Sequence, residues 1–267
     1  MSWRRLTKGI LVVLIVLGAA GYFSFQWLLS NEYVVPILMY HSIEYNPAPG
    51  NRLAVDPRIL DKQLRFLKEH RYNVIPLESL AALVRDKKPI PPKTIAITFD
   101  DGYKNNYTNA FPILKKYKIP ATIFLIVNEV GRSQGDRLKW EDVGEMQQSG
   151  LITFGSHSLD PEPLVNLKSE EELRKQIFFS KEVLEKRLGR PVNSFSYTSG
   201  LFTSHIRQLV IDAGYQVAVT TNPGNDYPDY DVYALKRQRI SSTADNPLVF
   251  WLQTSGIYTF IKEHRKK

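Results

Sequence analysis

The chain has 267 residues, 43% of them hydrophobic and 12% aromatic, enough for one large α/β domain or two small ones and too apolar for wholesale disorder. It contains no cysteine, which excludes a disulfide framework and thiolate metal sites. The net charge is +8, but Arg4, Arg5 and Lys8 and the basic tail 262–267 hold most of it. The nearly neutral remainder speaks against a nucleic-acid partner.

Behind the basic stretch 1–9, residues 10–29 read ILVVLIVLGAAGYFSFQWLL without a single charge. A helix of that length crosses a hydrocarbon core of ~30 Å. A cleaved signal peptide is the rival, with Ala19, Ala20 and Gly21 as a small-residue site. The apolar run continues past them to Leu29, so the expectation is an uncleaved membrane anchor. Cations ahead of the span put the N-terminus in the cytoplasm and residues 30–267 outside.

Short apolar runs then alternate with amphipathic stretches. Strands are predicted over 35–40, 72–75, 94–99, 121–126, 151–156, 194–197 and 216–220. Asp56-Pro57 is an N-cap with proline at the first helical position, followed by Leu60, Leu64 and Leu67 on one stripe. Ser169 and Glu172 form a capping box, Leu173, Ile177, Leu184 and Leu188 line one face, and Gly189 stops the helix. Strand–helix alternation of this kind means parallel strands with helical crossovers. About seven units predict an irregular barrel, and residues just after each strand converge on one mouth.

Three predicted strands end in ionisable groups: His41 after the first, Asp100 and Asp101 after the third, His157 and Asp160 after the fifth. Adjacent carboxylates repel unless a cation, a donor or water answers them. Two histidines and three carboxylates at one mouth suit a hard or borderline divalent metal, zinc first and manganese or another harder ion second. The paired aspartates then divide the labour, one binding the cation and the other taking a proton from its water.

TFDDGY at 98–103, WEDVGEMQQSG from Trp140, GSHS at 155–158, RPVNSFSYTSG and DAGYQVAVTT together resemble the polysaccharide deacetylase family, with its NodB-type domain. VPILMYHSI and RILDKQLRFLKEHRYNVIPLESL resemble the secreted or membrane-anchored branch that deacetylates poly-N-acetylglucosamine. The resemblance runs from about Val35 to the end, with the NodB core at about 92–267. It implies a distorted (β/α)7 barrel behind the anchor, and a metal-dependent hydrolase that removes N-acetyl groups from an extracellular glycan. It further implies that Asp100 is the general base and that Asp101 and His157 are metal ligands.

The chain departs from the family pattern in several places. The second motif usually carries a histidine four positions after the first, where this chain has Pro161. Asp160 is expected to take the third ligand's place, the alternative being a cap on the turn before Pro161. Thr198 and Ser199 stand where the third motif has proline and an aromatic residue. The family's late acid histidine has no counterpart, since His264 lies in the basic tail and His205 opens a helix. His41 remains the candidate to donate a proton or orient substrate. Arg237 and Arg239 are candidates to order Asp100, or are surface charge. Two other functions stay open: an anchored carbohydrate-binding relative without turnover, and an O-acetyl esterase.

Overall fold

The structure is a computed structural model that describes residues 3–31, 35–132, 136–221, 231–241 and 245–256, with side chains of helix α1 described over 8–24. Helix α1 (Trp3–Asn31) comes first. The body opens with β1 (Ile37–Tyr40), β2 (Ser42–Ile43), β3 (Ala54–Val55), α2 (Pro57–Glu69), β4 (Asn73–Val74), α3 (Leu77–Arg85) and β5 (Thr94–Phe99). A π-helical turn, Asn106–Ala110, feeds α4 (Phe111–Tyr117), then β6 (Ala121–Leu125), α5 (Trp140–Gln148) and β7 (Ile152–Ser156). Next, α6 (Glu170–Arg174), a π-helical turn over Lys175–Phe179 and α7 (Ser180–Leu188) form one run. The body closes with β8 (Ser194–Ser196), α8 (Ser204–Asp212), β9 (Val217–Thr220), β10 (Leu235–Lys236), β11 (Gln238–Arg239) and α9 (Pro247–Thr254).

The local signals act as the sequence suggests. Asp56 caps α2, its carboxylate accepting from the Arg58 amide at 2.8 Å. Ser169 caps α6 by accepting from the Glu172 amide, and Gly189 takes a left-handed φ of 64° after α7.

The main sheet runs β10-β9-β8-β7-β6-β5-β1-β11, with every pairing parallel. Its two ends are the same short stretch of chain. Leu235 pairs with Val219 of β9, and, three residues on, Gln238 pairs with Leu38 of β1. The segment 235–239 therefore closes the sheet into a parallel barrel, and Arg237 sits at the seam. All seven predicted strands form, β5 over its predicted bounds and the other six with slightly trimmed ends, but β4 lies beside the start of β5 and is no stave of the barrel. The seam segment is the stave that was not predicted. It is only two residues plus two around a buried arginine, so it carries no apolar run for a periodicity argument to find.

Period-two alternation sorts the strand residues. Leu38, Tyr40, Ile95, Ile97, Phe99 and Ile123 face outward onto Leu60, Leu64 and Leu67 of α2 and the other covering helices. Ile37, Ala96, Phe124, Val217, Val219 and Leu235 face inward and pack with Leu77, Leu80 and Ala81 of α3, which plugs the N-terminal end. Each buried leucine contributes ~1.5–3 kcal/mol relative to exposure. The apolar plug leaves polar inward positions for the opposite end: Thr98, Ser196 and Arg237.

α1 covers the predicted 10–29 span. Among the described residues, however, no helix is long and apolar enough to cross a membrane. The transmembrane part of the expected architecture is thus not an observation of this structure, whereas the barrel is.

Gly155 on β7 shows how closely the inner wall is packed. A Cβ there would meet Ser194 Oγ at 2.5 Å and two Phe124 ring carbons at 2.6 Å. Gly155→Ala is expected to lower stability by ~1–3 kcal/mol through overpacking, read as a lower urea midpoint with unchanged slope. An unchanged midpoint would mean that the Phe124 ring yields freely.

Candidate active site

Because the strands run parallel, residues that follow them share one rim. His41 follows β1, Asp100 and Asp101 follow β5, and His157 follows β7. His41 lies in the electrostatic field of Asp100, Asp101, Arg237 and His157, so the structure brings these groups together.

The two aspartates part company through backbone conformation. Asp100 continues the extended strand, its amide donating to the Tyr40 carbonyl at 2.9 Å, and its side chain points into the barrel with Ala96 and Thr98. Asp101 has φ 70° and Gly102 φ 63°. Aspartate tolerates the left-handed region better than most residues. At 102 only glycine fits, because a Cβ would also lie 2.7 Å from Leu125 Cδ2. This turn lifts Asp101 to the mouth, where its side chain is 19% exposed.

Asp100 is 3% exposed, and Arg237 grips it from the seam. Arg237 Nη1 donates to Oδ1 at 2.7 Å and Nη2 to Oδ2 at 2.6 Å. The other guanidinium hydrogens go to Thr98 Oγ1, Ser196 Oγ and the Thr220 carbonyl. All five donors of the fork are thereby used. Burial pushes the Asp100 carboxyl up, but Arg237 and the nearby His157 outweigh it and hold the group well below the usual carboxylate range. Arg239, two residues on, is exposed.

His157 is held from behind. Its Nδ1 donates to the Ser196 carbonyl at 2.7 Å, a tautomer assigned from that bond. Nε2 is left facing Asp101 Oδ1 at 3.5 Å. A lone pair opposite a carboxylate calls for a proton or a cation between them. A ligating histidine with its other nitrogen on a backbone carbonyl is the usual arrangement at metal sites. Asp101 and His157 therefore fit two positions of a divalent ion.

Asp160, the expected third donor, does not join them. Its Oδ1 accepts from Asn128 Nδ2 at 2.9 Å and its Oδ2 from Gln176 Nε2 at 2.8 Å. Burial raises this carboxyl, and the two amide donors bring it below its ordinary value. Among the described residues, no group of three or more histidine or acidic side chains is gathered to hold a metal. The structure does not bring Asp160 to Asp101 and His157: the chain turns at 158, where Ser158 has φ 69°, and Asn128 and Gln176 take its carboxylate.

His41 is 8% exposed, and its Nδ1 has no partner among the described residues. Burial lowers its pKa, against the pull of Asp100 and Asp101. Three asparagines set its position. Asn106 Nδ2 donates to the His41 carbonyl at 2.7 Å, Asn105 bonds Ser42 Oγ and the Ile43 amide, and Asn109 bonds the Ile43 carbonyl. Sequence reasoning passed over these residues, although NNYTN directly after DDGYK was a visible signal. His205 is exposed and pairs with Glu170 at 2.6 Å on the surface. His264 lies outside the described residues.

Removing the partner of a buried charge is costly. Arg237→Met is expected to destabilise the fold by ~3–5 kcal/mol by stranding Asp100. Arg237→Lys should fall in between, since a point charge replaces the fork. Urea unfolding reads both. A methionine variant as stable as the parent would contradict the tether.

The comparisons with known proteins agree with this geometry. The family described as polysaccharide deacetylase matches residues 87–218. YxkH of Bacillus subtilis, a protein assigned to the polysaccharide deacetylases, is 36% identical over 208 residues, covering 78% of this chain and 71% of its own. The poly-beta-1,6-N-acetyl-D-glucosamine N-deacetylase of Staphylococcus epidermidis is 30% identical over 197 residues, 70% of this chain and 68% of that one. Among solved structures, the Streptococcus pyogenes deacetylase PplD in complex with acetate superposes with a TM-score of 0.72 at 28% identity, over 81% of this chain and 97% of that one. Members of the family are generally metal-dependent. The chain belongs to the polysaccharide deacetylase family, with the NodB-type barrel, and is a hydrolase of carbon–nitrogen bonds other than peptide bonds.

Proposed function

We propose that the chain removes N-acetyl groups from an N-acetylglucosamine-containing polysaccharide outside the cytoplasm, using a divalent ion at Asp101 and His157. The observation that carries this reading is the division of the aspartate pair: Asp100 buried on Arg237, Asp101 lifted to face His157 Nε2. The staphylococcal relative's substrate supports the choice of glycan.

Arg237 favours the ionised, proton-accepting form of Asp100, and a carboxylate has lone pairs beyond the two that the fork occupies. It takes one proton from the water that attacks the acetamide carbonyl. A bound divalent ion would polarise that carbonyl and acidify the water. The proton that Asp100 takes is returned to the amine as the C–N bond breaks, a transfer we assign to His41, whose buried Nδ1 has no partner among the described residues. The products are a free glucosamine unit and acetate.

A second reading has one observation in its favour. With Asp160 held by Asn128 and Gln176, the donor set is smaller than that of three-ligand catalytic sites. A glycan-binding protein without turnover would tolerate that. Acetate release from N-acetylglucosamine oligomers separates the two. Asp100→Asn is expected to lower the rate by ~10²-fold or more without loss of bound ion. A parent that releases no acetate at any metal concentration would favour the binding reading.

The reading also places the chain on the outer face of a membrane, held by residues 10–29. The described α1 side chains, 8–24, are all exposed, and nothing lies within 4 Å of a Cβ built on Gly9, Gly18 or Gly21. An apolar helix face that the barrel does not cover supports an anchor. Protease added to intact cells is expected to degrade the barrel. A barrel protected until the membrane is opened would contradict the topology.

A further inference from the structure

We propose that the ion centre of this chain has two protein donors, Asp101 and His157, and that Asp160 anchors an amide clamp that positions the loop bearing His157. The inference rests on the deacetylase reading above and concerns how this chain builds that centre.

Both carboxylate oxygens of Asp160 are engaged, one by Asn128 Nδ2 and one by Gln176 Nε2. Gln176 does more than donate. It is 9% exposed, and its Oε1 accepts from the Leu159 and Asp160 amides, each at 3.0 Å. One glutamine thus satisfies two backbone donors and one carboxylate oxygen of the same turn. It sits in the π-helical turn Lys175–Phe179 between α6 and α7, and such turns are frequent at functional sites. From the other side, the Val127 and Asn128 amides donate to the Ser158 and Leu159 carbonyls at 3.1 and 2.9 Å. Residues 158–160 are therefore fixed on two flanks, directly after His157.

Swinging Asp160 toward the ion would strand two amide donors, one of them buried, and release the turn that holds His157. An unmade bond to a buried donor is more costly than a made one is favourable. The stable arrangement keeps Asp160 on its amides and leaves the ion with one imidazole, one carboxylate and otherwise water or substrate. A hard ion such as Mn²⁺ accepts such a shell.

The test is Mn²⁺ titration followed by electron paramagnetic resonance, with circular dichroism to confirm folding of each variant. Asp101→Asn and His157→Ala are expected to abolish detectable binding. Asp160→Ala and Gln176→Ala should weaken it by the same factor, no more than about tenfold, the low end for outer partners of a ligand. The double variant should be no worse than either single one, because both break one clamp. The exchange Asp160→Asn with Gln176→Glu puts an amide opposite a carboxylate again and should recover affinity. Loss of binding in Asp160→Ala with Gln176→Ala unaffected, or an exchange that recovers nothing, would overturn the proposal while leaving the metal reading intact. A parent that binds no Mn²⁺ and releases acetate in the presence of chelator would overturn the metal reading itself.

Discussion

A charged pair inside the barrel, Asp100 with Arg237, sets the terms for the rest of the structure. Taking either ion out of water alone costs several kcal/mol, so each requires the other and both require the surrounding hydroxyls and carbonyl. Thr98, Ser196 and the Thr220 carbonyl complete the guanidinium's bonds, and they come from β5, β8 and β9. The segment that carries Arg237 is also the one that joins β9 to β1. Barrel closure and placement of the base are one structural event.

That arrangement explains why the apolar plug and the polar mouth do not compete. α3 and the inward residues Ile37, Phe124 and Val217 fill one end, where burial stabilises the fold. The other end spends some of that stability on groups that a purely structural core would exclude. Asp101 and Ser158 sit in the left-handed region, a conformation that persists only when neighbours over-determine it. Here the stitching of 102–104 to 136–138 and of 127–128 to 158–159 supplies the constraint.

Much of this was legible in the chain. The seven predicted strands and the α2 and α6–α7 helices announce themselves through periodicity and caps. The strand-end polar residues follow from parallel topology, which is why His41, Asp100, Asp101 and His157 could be assigned to one mouth. The seam strand was not legible, being too short and too polar to show a pattern. Arg237 was visible as a candidate to order Asp100, but only the position of its partner separates that role from surface charge. The direction of the Asp160 side chain was hidden for a different reason. Its spacing from His157 suggested a ligand, but side-chain direction is set by the turn at Ser158 and by Gln176, sixteen positions away and without a motif.

The central claim is that the adjacent aspartates have separate partners, Asp100 on Arg237 and Asp101 on the ion. Anomalous diffraction from crystals soaked in Mn²⁺ tests it most directly. The expected result is one peak bonded to Asp101 and His157 Nε2, with Asp100 still forked to Arg237 and Asp160 still on Asn128 and Gln176. A peak bonded to Asp100, with the Arg237 fork broken, would contradict it.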